Sequence, residues 1–358
     1  MSEKKEISPG GITAMVTPFK PDGSIDWEGL LLNIEFQVAQ EITGVLGAGT
    51  TAESPTLSSE EHIAVISEIA SFVRGRIFVL GGGGSNSTKE MLHYVDMIVK
   101  CGCGGALLVD PYYNGPSSLE IRDEYYGPAA ERFPETIIIP YPIPGRTGCL
   151  ISATDLAILS NRYANIKAVK EATGDWEKIS ERMTFLRKYA PADFLIFSGD
   201  DDKTYNMMSS PEIMGNGVFS VISNIAPAAV QAMCMKTLSG DTEEAERIKD
   251  ALKPLFGLVT VNFSRREWFT KTSILREEND KFRNPLPIKT MMQGLGMPAG
   301  PCRRPLGKMS FGAVSKVRSV LKEVWQDNPW VLKPIEDFYK VDIADRLADD
   351  KPWEALSY

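Results

Sequence analysis

Lys170 stands in the run Ile166-Lys-Ala-Val-Lys-Glu-Ala-Thr-Gly-Asp175, where an otherwise apolar strand pattern carries an ammonium near its C-terminal end. Side chains alternate along a strand, so Ile166, Ala168 and Lys170 share one face and Lys167, Val169 and Glu171 the other. Burial disfavours the charged form of lysine and lowers its pKa from about 10.4, giving the neutral nucleophile that attacks a carbonyl to form a Schiff base. Taken alone, the run reads more simply as a strand-end lysine whose ammonium snorkels to solvent. Other runs change that reading. In Gly49-Thr-Thr-Ala-Glu-Ser54, Thr50 falls on the alternating face of Leu46 and Ala48; Asp110-Pro-Tyr-Tyr-Asn114 supplies Tyr112 and Tyr113; in Tyr141-Pro-Ile-Pro-Gly-Arg-Thr-Gly148, Tyr141 faces the way of Ile137 and Ile139. Singly, these are helix-capping threonines, loop tyrosines and a surface arginine. Together they make a site. Dehydrating a carbinolamine needs proton shuttles, which Tyr and Thr hydroxyls supply. Backbone amides and the hydroxyl at Thr50-Thr51 can hold a keto-acid carboxylate, and Arg146 can take a second carboxylate in a bidentate fork.

Positioning these groups falls to eight short apolar runs, at 11–19, 44–51, 77–82, 105–112, 136–144, 166–173, 194–200 and 217–224. Helix-start signatures lie between them, such as Ser58-Ser-Glu-Glu61, Asn86-Ser-Thr-Lys-Glu90 and Ser152-Ala-Thr-Asp155. Eight alternating units predict an α/β chain folded as a closed (β/α)8 TIM barrel, whose reactive groups gather at the C-terminal strand ends. An open doubly wound sheet would show fewer units and a Gly-x-Gly-x-x-Gly turn after its first strand, which residues 18–23 lack. Gly81-Gly-Gly-Gly84 has no following Lys-Ser/Thr, so it reads as a tight turn with close backbone approach rather than a nucleotide loop. Beyond Asn224 the pattern predicts helices at 227–238, 242–258, 287–295 and 311–325. The chain thus divides into a barrel (10–225), a helical region packed on it as a C-terminal extension (226–325) and a further tail (326–358).

The 358 residues exceed the roughly 250 of a typical barrel. A net charge of -8 and a pI near 5.1 give no basic surplus for nucleic acid or an anionic membrane surface. Residues 1–10 are short and polar, and no stretch approaches 18 apolar residues, which together set the expectation of a cytoplasmic protein. Five scattered cysteines argue against a disulfide framework, and with only His62 and His93 a zinc site lacks ligands.

The ordered motifs Gly-Thr-Thr-x-Glu-Ser, Pro-Tyr-Tyr-Asn, Tyr-x-x-Pro-x-Arg-Thr-Gly, Ile-x-x-x-Lys-Glu-Ala-Thr-Gly-Asp, Ser198-Gly-Asp-Asp201 and Gly217-Val-Phe-Ser220 resemble the dihydrodipicolinate synthase and N-acetylneuraminate lyase superfamily, and the synthases most closely, over roughly residues 10–325. That resemblance implies a pyruvate imine on Lys170, with Tyr141, Thr50 and Tyr113 as proton relays, Tyr113 reaching across a subunit interface. It implies that Thr51 binds the pyruvate carboxylate, Arg146 meets the carboxylate of L-aspartate 4-semialdehyde, and Gly199 and Phe219 line the pocket by backbone. It further implies no metal or organic cofactor, a homo-oligomer (tetramer or dimer), and a place in lysine (diaminopimelate) biosynthesis. Ser54, His62, Asn86, Glu90 and Tyr112 match the effector site of lysine-regulated synthases, with Ser59 where another histidine is usual.

The chain departs from these motifs at several positions, and of these Pro142 bears on the choice of electrophile. Ala52 replaces the usual glycine, which matters only if that position needs positive φ. Pro142 replaces a common asparagine beside the reactive centre. An insertion spans roughly 262–283, and the aromatic residues Trp330, Phe338, Tyr339 and Trp353 predict that the tail docks. Two alternatives stand beside the synthase: a pyruvate-dependent aldolase of a sugar acid (N-acetylneuraminate or 2-keto-3-deoxygluconate), and a barrel that binds a keto acid without turnover.

Overall fold

The computed structural model describes residues 6–358; residues 1–5, half of the polar N-terminal segment considered above, lie outside the described residues. Eight parallel strands, β1 (Gly10–Ala14), β2 (Gly44–Gly47), β3 (Phe78–Gly82), β4 (Gly105–Val109), β5 (Ile137–Tyr141), β6 (Ala168–Glu171), β7 (Leu195–Ser198) and β8 (Gly217–Ser220), run in the order β5-β4-β3-β2-β1-β8-β7-β6. The end strands meet across the seam, where Ile138 N donates to Asn165 O (2.9 Å) and Ala172 N to Pro142 O (3.1 Å). The principal helices after the strands are α1 (Trp27–Ala39), α2 (Ser59–Val73), α3 (Thr88–Lys100), α4 (Gly127–Arg132), α5 (Ala153–Arg162), α6 (Trp176–Tyr189), α7 (Thr204–Ser209) and α8 (Pro227–Leu238). This is the (β/α)8 TIM barrel that the spacing predicts.

Inward residues Ile12, Leu46, Leu80, Leu107, Ile139, Ala168, Phe197 and Phe219 fill the barrel, while Val45, Val79, Leu108, Ile138, Val169 and Ile196 pack outward with helix residues such as Ile66, Val95, Leu156 and Ile179. Burial of both faces explains why the strands read as nearly continuous apolar runs. Ser58 and Glu61 form a reciprocal capping box at the start of α2, and Ser152 accepts from Asp155 N at the start of α5. Two face assignments need correction. β6 begins only at Ala168, so Ile166 falls outside its alternation and packs in the outer layer. β2 ends at Gly47, Ala48 turns left-handed (φ 52) into the outer layer, and Thr50 is placed by the loop, not by strand alternation. The glycine run does bring backbones close: a Cβ at Gly82 would lie 2.4 Å from Ala48 O, so glycine there holds the threonine loop against β3.

The region 226–325 is not wholly helical. Between α9 (Thr242–Phe256) and α10 (Leu286–Gly294), the insertion forms an antiparallel hairpin, β9 (Thr260–Phe269) and β10 (Ile274–Arg283), in register from Thr260↔Arg283 to Phe269↔Ile274. Beyond its root both faces of the ribbon meet solvent, so no sustained apolar alternation marks it in the sequence. A two-stranded ribbon is marginal alone. This one is rooted by buried Val261 and by Phe263, whose ring lies where a Cβ on Gly312 would be, 2.1 Å away; Trp268, Phe269, Ile274 and Leu275 stay exposed at its tip. α11 (Phe311–Asp327) follows α10, and the tail continues as α12 (Lys333–Tyr339), α13 (Ile343–Ala348) and α14 (Asp350–Glu354). The tail docks: Phe36 of α1 meets Phe338 and Tyr339 at 5.3 and 5.2 Å, Tyr339 Oη donates to Asn33 (2.8 Å), and buried Trp353 sits over Gly294. Among the described residues no helix is long and apolar enough to cross a membrane.

Candidate active site

β6 carries Lys170 into the barrel interior, where it is 5 % exposed. Its Nζ lies 4.0 Å from the Tyr141 ring centroid, with Tyr141 on the neighbouring β5, and 5.4 Å from that of Phe219 on β8. Burial is the main cause that pulls its pKa from 10.5 down to about 7; Asp200 and Asp201 oppose the fall and Arg146 adds to it. Near neutral pH a large fraction of Lys170 is therefore the neutral amine. Gly199 makes the room, since a Cβ there would stand 3.1 Å from Lys170 Cε and 2.7 Å from Ala172 Cβ.

A cavity of about 180 Å³ opens over Lys170, lined among others by Thr50, Thr51, Tyr141, Arg146, Gly199 and Asp200. Burial raises the Tyr141 phenol well above its usual range, partly offset by Arg146 and by the Thr50 hydroxyl within hydrogen-bonding reach. Tyr141 is thus a neutral donor that can take and return a proton without ionising to solvent. Thr51 Oγ1 accepts from Asn284 Nδ2 (3.0 Å), which leaves its own proton free to point at an anion. Arg146, at the mouth, still meets solvent, yet the protein packed around it lowers its pKa; it donates to Asn284 O (2.9 Å). Phe219 meets Lys170 with its ring as well as occupying the expected strand. Tyr113 is not brought to the site: it is 91 % exposed, with a left-handed backbone (φ 79) that a tyrosine rarely adopts. Ala52 has no positive φ; in that loop Ala48 and Glu53 do. Pro142 lacks a side-chain donor, and its carbonyl closes the barrel seam instead.

A second cavity, of about 420 Å³, shares Thr50 and Arg146 with the first and extends to Ser54, His62, Glu90 and Tyr112. Asn86 is outside its lining. His62 stacks on Tyr94 (4.5 Å), and its Nε2 sits 2.6 Å from Gly82 O; a carbonyl only accepts, so Nε2 carries the proton. Burial lowers the His62 pKa and keeps the ring neutral. Ser85 Oγ donates to Glu90.

Several residues that shape the site were not legible in the sequence. Asp200 has a buried carboxylate oxygen with no partner and a pKa raised to about 6, chiefly by burial. Lys289 of α10 and Glu53 form a fully buried ion pair (2.7 Å), with Lys289 also donating to Thr17 O and Pro301 O, and this ties the C-terminal region to the loop that carries Thr50 and Thr51. Asn284, Lys281 and Arg283 come from the inserted hairpin or just after it, more than 200 positions from Thr51; no spacing rule connects them. Among the described residues no group of three His, Cys, Asp or Glu could hold a metal.

Residues 8–324 match the family model described as the dihydrodipicolinate synthetase family. The 4-hydroxy-tetrahydrodipicolinate synthase of Methanococcus vannielii is 36 % identical over 312 residues, covering 87 % of this chain and 97 % of that one. The structure of the 4-hydroxy-tetrahydrodipicolinate synthase from Methylacidiphilum fumariolicum is similar with a TM-score of 0.79 at 32 % identity, covering 91 % of this chain and 99 % of that one. The structure of DHDPS from Cyanidioschyzon merolae with lysine bound is similar with a TM-score of 0.78 at 31 % identity, covering 89 % of this chain and 99 % of that one.

Proposed function

This chain belongs to the dihydrodipicolinate synthetase family, and from that premise we propose that it condenses pyruvate with L-aspartate 4-semialdehyde to 4-hydroxy-tetrahydrodipicolinate, in lysine biosynthesis, through an imine on Lys170. The observation that carries this reading is a buried amine, with its pKa lowered to about 7, under a cavity that has a guanidinium at its mouth.

Neutral Lys170 attacks C2 of pyruvate, whose carboxylate is held by the Thr51 hydroxyl. Tyr141, backed by Thr50, donates the proton that lets the carbinolamine oxygen leave as water. The imine loses a proton from C3 to become an enamine, and that carbon attacks the aldehyde carbon of the semialdehyde, whose carboxylate Arg146 holds. The aldehyde oxygen takes up a proton and becomes the 4-hydroxyl. The substrate's own amine then displaces Lys170 from C2, closing the ring and freeing the enzyme. Gly199 and Phe219 shape the floor. Tyr113, outward and unsupported here, serves as the relay of a second copy in a homo-oligomer. The setting is cytoplasmic.

The second cavity is proposed as an effector site for L-lysine, with Glu90 facing its ammonium and Ser54, His62 and Tyr112 around it; Asn86 contributes from outside the lining. Because Thr50 and Arg146 border both cavities, occupation of one reaches the other directly.

The test is a coupled assay of pyruvate with L-aspartate 4-semialdehyde beside cleavage of N-acetylneuraminate and 2-keto-3-deoxygluconate. Condensation is expected; turnover of a sugar acid alone would overturn the assignment.

A further inference from the structure

The inserted hairpin brings two cations, Lys281 and Arg283, to the rim of the Lys170 cavity beside Arg146. Two other hairpin arginines are paired on the ribbon itself, Arg265 with Asp280 (2.7 Å) and Arg266 with Glu277 (3.8 Å), while Arg276 lies outside the cavity lining. Lys281, Arg283 and Arg146 are different: among the described residues none of them makes an ion pair. The two rim guanidiniums are locked together through backbone. Arg146 donates to the carbonyl of Asn284, next to Arg283, and Arg283 donates to the carbonyl of Gly145 (3.2 Å), next to Arg146. Each is held in place by the other's segment and still has free N–H groups, and the positive charge of Arg283 adds to what lowers the Arg146 pKa. Like charges fixed side by side without a counterion repel, and an anion seated between them relieves both.

We infer that Arg283 and Arg146 form a paired guanidinium clamp on the carboxylate of the electrophilic aldehyde, so that the hairpin insertion, with Lys281 at its rim, sets the enzyme's preference for a short carboxylated aldehyde. This rests on the aldehyde subsite proposed above. The clamp supplies the recognition that Pro142, with no side-chain donor, does not. It also restricts the mouth to a small anion, since Thr260 and the hairpin root crowd the same opening.

The probe is 4-oxobutanoate, which keeps the aldehyde and carboxylate but has no amine and cannot cyclise; butanal, without the carboxylate, is the control. Binding of each to the pyruvate-loaded enzyme is measured beside kinetics with the semialdehyde for wild type, Arg283→Gln, Arg283→Lys and Lys281→Gln. Arg283→Gln should weaken 4-oxobutanoate binding and raise KM for the semialdehyde by roughly tenfold or more. Butanal binding, KM for pyruvate and borohydride-trapped imine should not change, and Arg283→Lys should recover part of the loss. Unchanged 4-oxobutanoate binding in Arg283→Gln, or an equal loss for butanal, would overturn the clamp. Wild type that binds 4-oxobutanoate but never turns over the semialdehyde would instead remove the proposed reaction and leave the clamp standing.

Discussion

Replacing Lys170 with methionine should stabilise the protein while abolishing its chemistry, and the size of the gain follows from where the amine sits. In the unfolded chain the amine titrates near 10.5; in the folded chain burial brings it to about 7. At about 1.4 kcal/mol per tenfold change in proton affinity, keeping that proton costs the folded state about 4 kcal/mol at pH 7. The sign is fixed by which state holds the proton. Below about pH 7 both states are protonated and the penalty is complete. Between about 7 and 10.5 only the unfolded chain stays protonated, so wild-type stability climbs with pH, and above 10.5 the penalty is gone. Methionine fills similar volume without charge. Asp200 and Asp201 lose a favourable neighbour in the variant, so the net gain should be about 2–4 kcal/mol at pH 7. The gain should then shrink by about 2 kcal/mol between pH 7 and pH 9. Urea unfolding of both proteins at equal concentration, at half-unit pH steps, measures the difference directly. A gap that does not change with pH, or a less stable variant at pH 7, would refute the claim that Lys170 is a buried and strained amine.

Tyr141→Phe keeps the ring beside Lys170 Nζ (4.0 Å to its centroid) and removes only the hydroxyl, and should lower kcat by about 10²–10⁴-fold with little change in unfolding midpoint, as steady-state rates and urea melts will show. L-lysine should inhibit wild type in a saturable way, and Glu90→Gln should abolish inhibition with uninhibited activity retained; flat activity with rising lysine removes the effector site. Lys289→Met leaves Glu53 buried without its cation and should cost about 3–5 kcal/mol in urea unfolding, whereas removing both charges with Glu53→Gln should recover much of the loss.

The barrel was legible because its strands, buried on both faces, write themselves as eight apolar runs, and because capping chemistry at Ser58 and Ser152 marks where helices begin. Lys170 and Tyr141 were legible for the same reason: each lies at the end of a strand whose inward period can be read. Ile166 and Ala48 were misplaced because strand alternation was carried past the true ends of β6 and β2. The hairpin carries no period to read, since its stability comes from cross-strand pairs and a rooted base, and its cations matter to the site only through folding. Asn284, Asp200 and the Lys289–Glu53 pair belong to the same class, residues whose roles arise from contacts between distant segments.

The most direct test of the account is reduction with borohydride in the presence of pyruvate, with the adduct mapped by peptide mass spectrometry across pH. The account predicts one adduct, on Lys170, with the mass of pyruvate less water plus two hydrogens, whose rate of formation rises with pH to a plateau with a midpoint near 7. An adduct on another lysine, no adduct at all, or a midpoint near 10.5 would contradict it.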